Sequence, residues 1–239
     1  VYMRKLAILA LLILLIPTMV ASAAESPTEI EYFDIYFLPE LDDASVLVIM
    51  QIDFLSAGEG ITTTFTLPET IKNLVVARID VDGTPVVNEL EYSSEVVSGQ
   101  TVVTIESSTD GIWLEYYDTS LEVDGSNHSF RYEWLNDFAV QKYDIRVQQP
   151  FNSLNLVMSP ELASNWTDEY GLNSFGNGFD SIPAGGSFSF SFSYLKDDMI
   201  PSLVAMGSVV PEAGEGGTAD DNDGLPDWAL ILIGVGIAA

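Results

Sequence analysis

The sequence predicts an all-β protein: an antiparallel β-sandwich of immunoglobulin-like or jelly-roll type, built as one large or two small sandwiches. Three observations predict it. The segment from Ser187 to Tyr194 reads Ser-Phe-Ser-Phe-Ser-Phe-Ser-Tyr. Side chains alternate faces along a strand, so Phe188, Phe190, Phe192 and Tyr194 line one side and the serines the other. Second, the dipeptides Asp82-Gly83, Asp110-Gly111 and Asp124-Gly125 punctuate the middle of the chain, and such pairs tolerate the positive φ of tight hairpins. Third, no segment between the two chain ends repeats its apolar positions with a helical period. Short strands separated by turns, with no intervening helices, pack as an antiparallel sandwich.

The elements follow in order. Residues 1–24 read as a signal peptide: Arg4 and Lys5 are basic, Leu6 to Ile16 is an unbroken apolar run, and Ala21-Ser22-Ala23 has the small residues a signal peptidase reads. Cleavage is expected after Ala23 or Ala24. Thr28 to Leu38 is the first strand, and Pro39-Glu40-Leu41-Asp42-Asp43 the turn after it. Ser45 to Leu55 is apolar at nearly every position, which predicts a central strand buried on both faces or at a seam between sheets. Strands are then expected at Ile61 to Leu67, Asn73 to Val81, Thr101 to Ile105, Ile112 to Tyr117, Ser129 to Trp134 and Tyr143 to Gln148, with Pro183 to Gly186 turning the chain into Ser187 to Tyr194. The ectodomain is thus 25–199, with a possible split near 119–126. Residues 200–226 read as a stalk: up to Val210 the segment is mixed and small, and Pro211 to Asp227 is acidic, glycine-rich and too poor in apolar side chains to order itself, with like charges holding it extended. Residues 227–239 begin with Asp227-Trp228 and continue apolar to the last residue. A membrane-spanning helix needs about 20 apolar residues, so this run is expected to be the start of a transmembrane anchor, with Trp228 at the outer interface.

Composition bounds the function. The formal net charge is −28, from 36 acidic and 8 basic residues. Nucleic-acid binding rests on Lys and Arg neutralising phosphates, so that class is excluded, and attraction to anionic lipid is disfavoured for the same reason. Self-repulsion at this level is relieved by counterions. There is no cysteine, which rules out disulfides and thiolate chemistry.

Candidate sites are few. His128 is the only histidine. It lies just after Gly125 in a predicted hairpin loop, with Ser126 and Ser129 nearby, but no nucleophile elbow accompanies it. One histidine and no cysteine leave the usual zinc ligands missing. Carboxylates are so numerous that chance pairs at glycosidase spacing are certain, so their number discriminates nothing. Asp221, Asp223 and Asp227, with Gly224, match part of an Asp-rich calcium loop, although Ala219 falls at its first ligand position; weak calcium binding is the most that pattern predicts, and no other cofactor is expected. Alternation sends Ile112, Leu114 and Tyr116 inward and leaves Trp113 and Tyr117 outward beside Glu115, the one plausible exposed aromatic pair for a ligand such as a sugar. Phe130, Tyr132 and Trp134 share a core face. Asn127-His128-Ser129 and Asn165-Trp166-Thr167 match the glycosylation pattern at Asn127 and Asn165.

The stretch Phe37-Leu38-Pro39-Glu40-Leu41-Asp42-Asp43-Ala44-Ser45-Val46-Leu47-Val48-Ile49 resembles a group of bacterial exported proteins with a signal peptide, a β-sandwich and a C-terminal anchor. The similarity continues at Glu115-Tyr116-Tyr117, Phe130-Arg131-Tyr132-Glu133-Trp134, Val147-Gln148-Gln149-Pro150, Ile182 to Gly186 and Tyr194. These motifs are strand starts, aromatic core positions and turns. The resemblance implies an architecture and carries no activity. The expectation is a non-enzymatic, membrane-tethered extracytoplasmic module with a binding or structural role at the cell envelope, meeting a protein or glycan partner. The alternatives are carbohydrate binding through Trp113 and Tyr117, and a carboxylate-dependent hydrolase.

Overall fold

A computed structural model describes residues 29–55, 61–79, 85–87, 90–107, 111–135, 138–167 and 171–207. Among these residues the strands are β1 (Glu29–Pro39), β2 (Val46–Phe54), β3 (Ile61–Pro68), β4 (Ile71–Ile79), β5 (Pro85–Val87), β6 (Glu91–Val97), β7 (Gln100–Ser107), β8 (Gly111–Asp118), β9 (Glu122–Asp124), β10 (Asn127–Leu135), β11 (Ala139–Gln148), β12 (Leu154–Ser159), β13 (Ser164–Thr167), β14 (Asn173–Phe179) and β15 (Ser187–Leu195). One short helix, α1 (Ser202–Gly207), follows them. An eight-stranded sheet has the order β13-β14-β11-β1-β2-β8-β4-β5, a four-stranded sheet the order β12-β15-β10-β9, and a three-stranded sheet the order β3-β7-β6.

Alternation builds the core. From the large sheet, Phe33, Ile35 and Phe37 of β1, the even-numbered residues from Val46 to Phe54 of β2, and Ile112, Leu114 and Tyr116 of β8 all point to one side and are buried. The two smaller sheets answer with Phe130, Tyr132 and Trp134 of β10, the aromatic face of β15, and Phe65, Val103 and Ile105 of β3 and β7. Phe33 stacks on Trp134 at 4.3 Å between ring centroids and Phe37 on Phe190 at 5.3 Å. Phe138 bridges Phe54 of the large sheet and Phe65 of the three-stranded one. The layers are therefore glued by interlocked rings, whose stacked and edge contacts add to the burial of their apolar area. A polar link crosses the core between the Tyr116 and Tyr132 hydroxyls, which lie 3.0 Å apart. Residues from both sides of 119–126 enter this same core.

Each predicted strand forms over its described residues, and β2 takes the expected central place, between β1 and β8; Thr28, residues 80–81 and the turn expected at Asp82-Gly83 lie outside the described residues. One pairing departs from the antiparallel expectation. β1 runs parallel to β11, with Phe33 opposite Tyr143 and Phe37 opposite Val147. The reason is topological: β10 joins the four-stranded sheet, so the chain returns to the large sheet beside its first strand in the same direction. Residues 196–207 are packed on the sheets, with Ser202 and Met206 buried. Among the described residues no helix is long and apolar enough to cross a membrane. The segments expected as a signal peptide (1–24) and a membrane anchor (227–239), and the rest of the expected stalk, lie outside the described residues.

Candidate functional site

Two groupings of ionisable side chains stand out. The first is on the face of the large sheet turned away from the core. From Tyr32 in β1 and Lys142 in β11 onward, the even-numbered residues share that face with the odd-numbered residues of β2 and β8, because paired neighbours point the same way. Asp34 lies opposite Gln51 on one side and Asp144 on the other. Arg146 Nη2 is 3.0 Å from Asp34 Oδ2 and 3.7 Å from Asp144 Oδ2, and the Tyr32 hydroxyl donates to Asp144 at 2.7 Å. Gln51 donates to Asp53 at 3.2 Å, and the Trp113 indole N–H points to Glu115 at 3.4 Å. Gly178 sits opposite Asp144, and a Cβ there would come within 2.8 Å of the Asp144 carboxylate. The site is thus kept open on that side by a residue with no side chain.

Burial sets the electrostatics of this face. Asp34 is pushed up to about 6 by desolvation, which outweighs the guanidinium 3.0 Å away; Asp144 and Asp53 push the same way. Its Oδ1 makes no hydrogen bond among the described residues. Asp53 and Glu115 are also raised, each chiefly by burial and each partly relieved by its hydrogen bond, from Gln51 and Trp113. Three carboxylates of one sheet face therefore carry their charge at a cost.

The second grouping is fully buried. Glu40 occupies the turn between β1 and β2 with a φ of 48°, a left-handed conformation uncommon outside Gly, Asn and Asp. Its side chain is turned inward and is 0% exposed. Tyr194 donates to Glu40 Oε2 at 3.0 Å and Lys196 Nζ lies 3.3 Å from the same oxygen. His128 Nδ1 is 3.5 Å from Glu40 Oε1, and neither atom makes a hydrogen bond among the described residues. Lys196 Nζ also donates to the Ile200 carbonyl at 2.6 Å and meets Asp198 at 3.2 Å. This geometry holds three chain segments together, the β1–β2 turn, β10 and residues 194–200, and Glu40, His128 and Lys196 are all sealed from solvent.

The sequence-derived candidates fall out as follows. His128 is on β10 and is 1% exposed, so it belongs to that buried cluster and not to a loop; the turn itself is Gly125-Ser126, with Gly125 at φ 61°. Trp113 holds the outward register position as expected but is 1% exposed. An indole packed that closely has no face to offer a sugar, which corrects the expectation of an exposed pair with Tyr117. Tyr117 is half-buried: its hydroxyl donates to Asp42 at 2.6 Å, and Lys72 Nζ sits 5.7 Å from its ring centroid. Burial first, then the Asp42 hydrogen bond, raise its hydroxyl well above the usual range. Asn127 and Asn165 are exposed at the start of β10 and in β13. Asp221, Asp223 and Asp227 lie outside the described residues, and among the described ones no group of three or more His, Cys, Asp or Glu is arranged to hold a metal ion. Sequence reasoning missed Glu40, Lys196 and the Asp34-Asp144-Arg146 group.

No family model and no curated protein matches the chain. Among solved structures, it is similar to a Parabacteroides distasonis protein described as a candidate protease, at a TM-score of 0.39 and 12% identity over 73% of this chain and 41% of that one. It is similar also to native yeast LTA4 hydrolase, at a TM-score of 0.41 and 10% identity over 74% of this chain and 31% of that one. The chain thus spans less than half the length of either protein.

Proposed function

We propose that the protein is an extracytoplasmic module, tethered at a membrane through its C-terminal segment, with a non-catalytic binding role at the cell envelope. Its partner-facing surface in this reading is the outward face of the large sheet, and its partner is a protein segment bearing Lys or Arg. The observation that carries the reading is the row of carboxylates at Asp34, Asp53 and Glu115, all raised by burial. A dehydrated carboxylate is stabilised by an arriving cation, so charge complementarity supplies both attraction and register. The signal-peptide pattern at Arg4 to Ala23 and the apolar run after Trp228 support the address.

Affinity purification from intact envelopes with the full chain tests this. One or more basic partners should be recovered, and Asp34→Asn should weaken capture several-fold. Because a cation binds the ionised carboxylate, capture should strengthen as pH rises from 5 to 7. Recovery of no envelope partner, or capture indifferent to Asp34→Asn, would sink the reading.

A further inference from the structure

Residues 196–207 leave β15 and fold back over the β1–β2 turn. Their attachments converge there. The Lys196 amide donates to the Ser126 carbonyl at 2.8 Å and its ammonium pairs with Glu40. The Ser202 amide donates to the Glu40 carbonyl at 2.7 Å and the Leu203 amide to the Leu41 carbonyl at 2.8 Å. The Ser202 hydroxyl accepts from the Phe151 amide at 3.0 Å. Apolar burial is modest: Met206 is buried, but Met199, Ile200 and Val204 are each about half exposed. Yet Leu203 packs on a small apolar cluster, Leu38, Leu41 and Leu47, which is separate from the main core. The segment is a strap held mainly by polar contacts to one residue pair, Glu40-Leu41, and it covers an apolar corner of the outward sheet face.

We infer that this strap opens as a unit while the sandwich stays folded, with Glu40 and Lys196 as its latch, and that opening uncovers Leu38, Leu41 and Leu47. Segments with few buried apolar contacts open at lower free energy than core strands. Removing one member of a buried ion pair leaves the other charge uncompensated, so the latch is sensitive from either side. Glu40 keeps a left-handed backbone in order to face inward, and strain of this kind persists only where surrounding contacts hold it. Release of the strap removes several of those contacts at once.

The chain has no cysteine, so a single introduced thiol reports cleanly. In the full chain, Leu47→Cys beneath the strap should react with a thiol reagent at least tenfold faster than Val48→Cys, its neighbour in the main core. Adding Leu203→Ala should speed Leu47→Cys at least tenfold more and leave Val48→Cys unchanged. Equal reaction at both positions, or equal acceleration at both, overturns the proposal. Hydrogen exchange needs no cysteine and tests the latch itself. Lys196→Met should speed exchange of the Ser202 and Leu203 amides at least tenfold without touching the β2 amides. Strap amides that ignore Lys196→Met, or that exchange with β2 in the parent chain, would show that no such latch exists.

Discussion

Asp34 is one of three carboxyls whose burial gives the outward sheet face a pH response. Its pKa of about 6 in the folded chain lies above the 3.8 of an unburied aspartate. The folded state therefore binds more protons than the unfolded state between those values, and stability falls as pH rises from about 4 to about 6. Asp34→Asn should remove its share of that slope, leaving the part due to Asp53 and Glu115, and be more stable than the parent at pH 7 by about 2–3 kcal/mol, following about 1.4 kcal/mol per pKa unit. Denaturant titrations at pH 4, 5, 6 and 7 measure it; parallel curves for parent and variant would contradict the assignment. The tyrosine pair in the core makes a second residue-scale prediction. Tyr132→Phe strips the Tyr116 hydroxyl of its partner 3.0 Å away and should cost about 1–2 kcal/mol, whereas changing both to Phe should be nearly neutral. A urea-unfolding double-mutant cycle reads the coupling. Neither site is visible in sequence beyond its residue types. Asp34 is one acid among 36, and its partner Asp144 is 110 positions away on a strand whose neighbour could not be named. Glu40 is less legible still. Pro39 to Asp43 reads correctly as a turn, but turn acids normally face water, and Tyr194, Lys196 and His128 reach it from distant segments.

Strands were legible where one face is buried and the other is not. β10 and β15 alternate between buried and exposed positions along their length, so their apolar period stands out. β6 and β13 are exposed at every position, so no alternation between a buried and a solvent face marks them as strands in the sequence. β14 reads Asn-Ser-Phe-Gly-Asn-Gly-Phe, whose glycines are turn signals by composition; here they allow close approach to Trp166 and Asp144 instead. The parallel β1–β11 pairing is a matter of which sheet each strand joins, information no local pattern holds. The same alternation predicts unequal tolerance within β15. Phe190→Ala should cost about 3–5 kcal/mol because Phe190 is fully buried against Phe37. Ser189→Ala, on the opposite face, should stay within about 0.5 kcal/mol. Equal losses in thermal denaturation would mean that the two faces are not packed as described.

At the scale of the whole molecule, the charge of −28 is a repulsion that every packed contact works against, and salt screens it within about a Debye length. Raising sodium chloride from 10 mM to 1 M should move the urea midpoint upward, and the shift should persist in Asp34→Asn, since it is spread over the surface. A midpoint that falls with salt would show that specific ion pairs outweigh the repulsion. The parallel seam between β1 and β11 also imposes an order in time. During synthesis β1 emerges first and finds β2 within a few residues, but its other edge waits until residues 139–148 exist. Through that interval a long strand lined by Phe33, Ile35 and Phe37 keeps an open flank, a template on which another nascent chain can add. Chains stopped at Phe138 should therefore self-associate under conditions where the full chain does not, and light scattering of the two would show it. The strand that begins the fold is among the last to be closed.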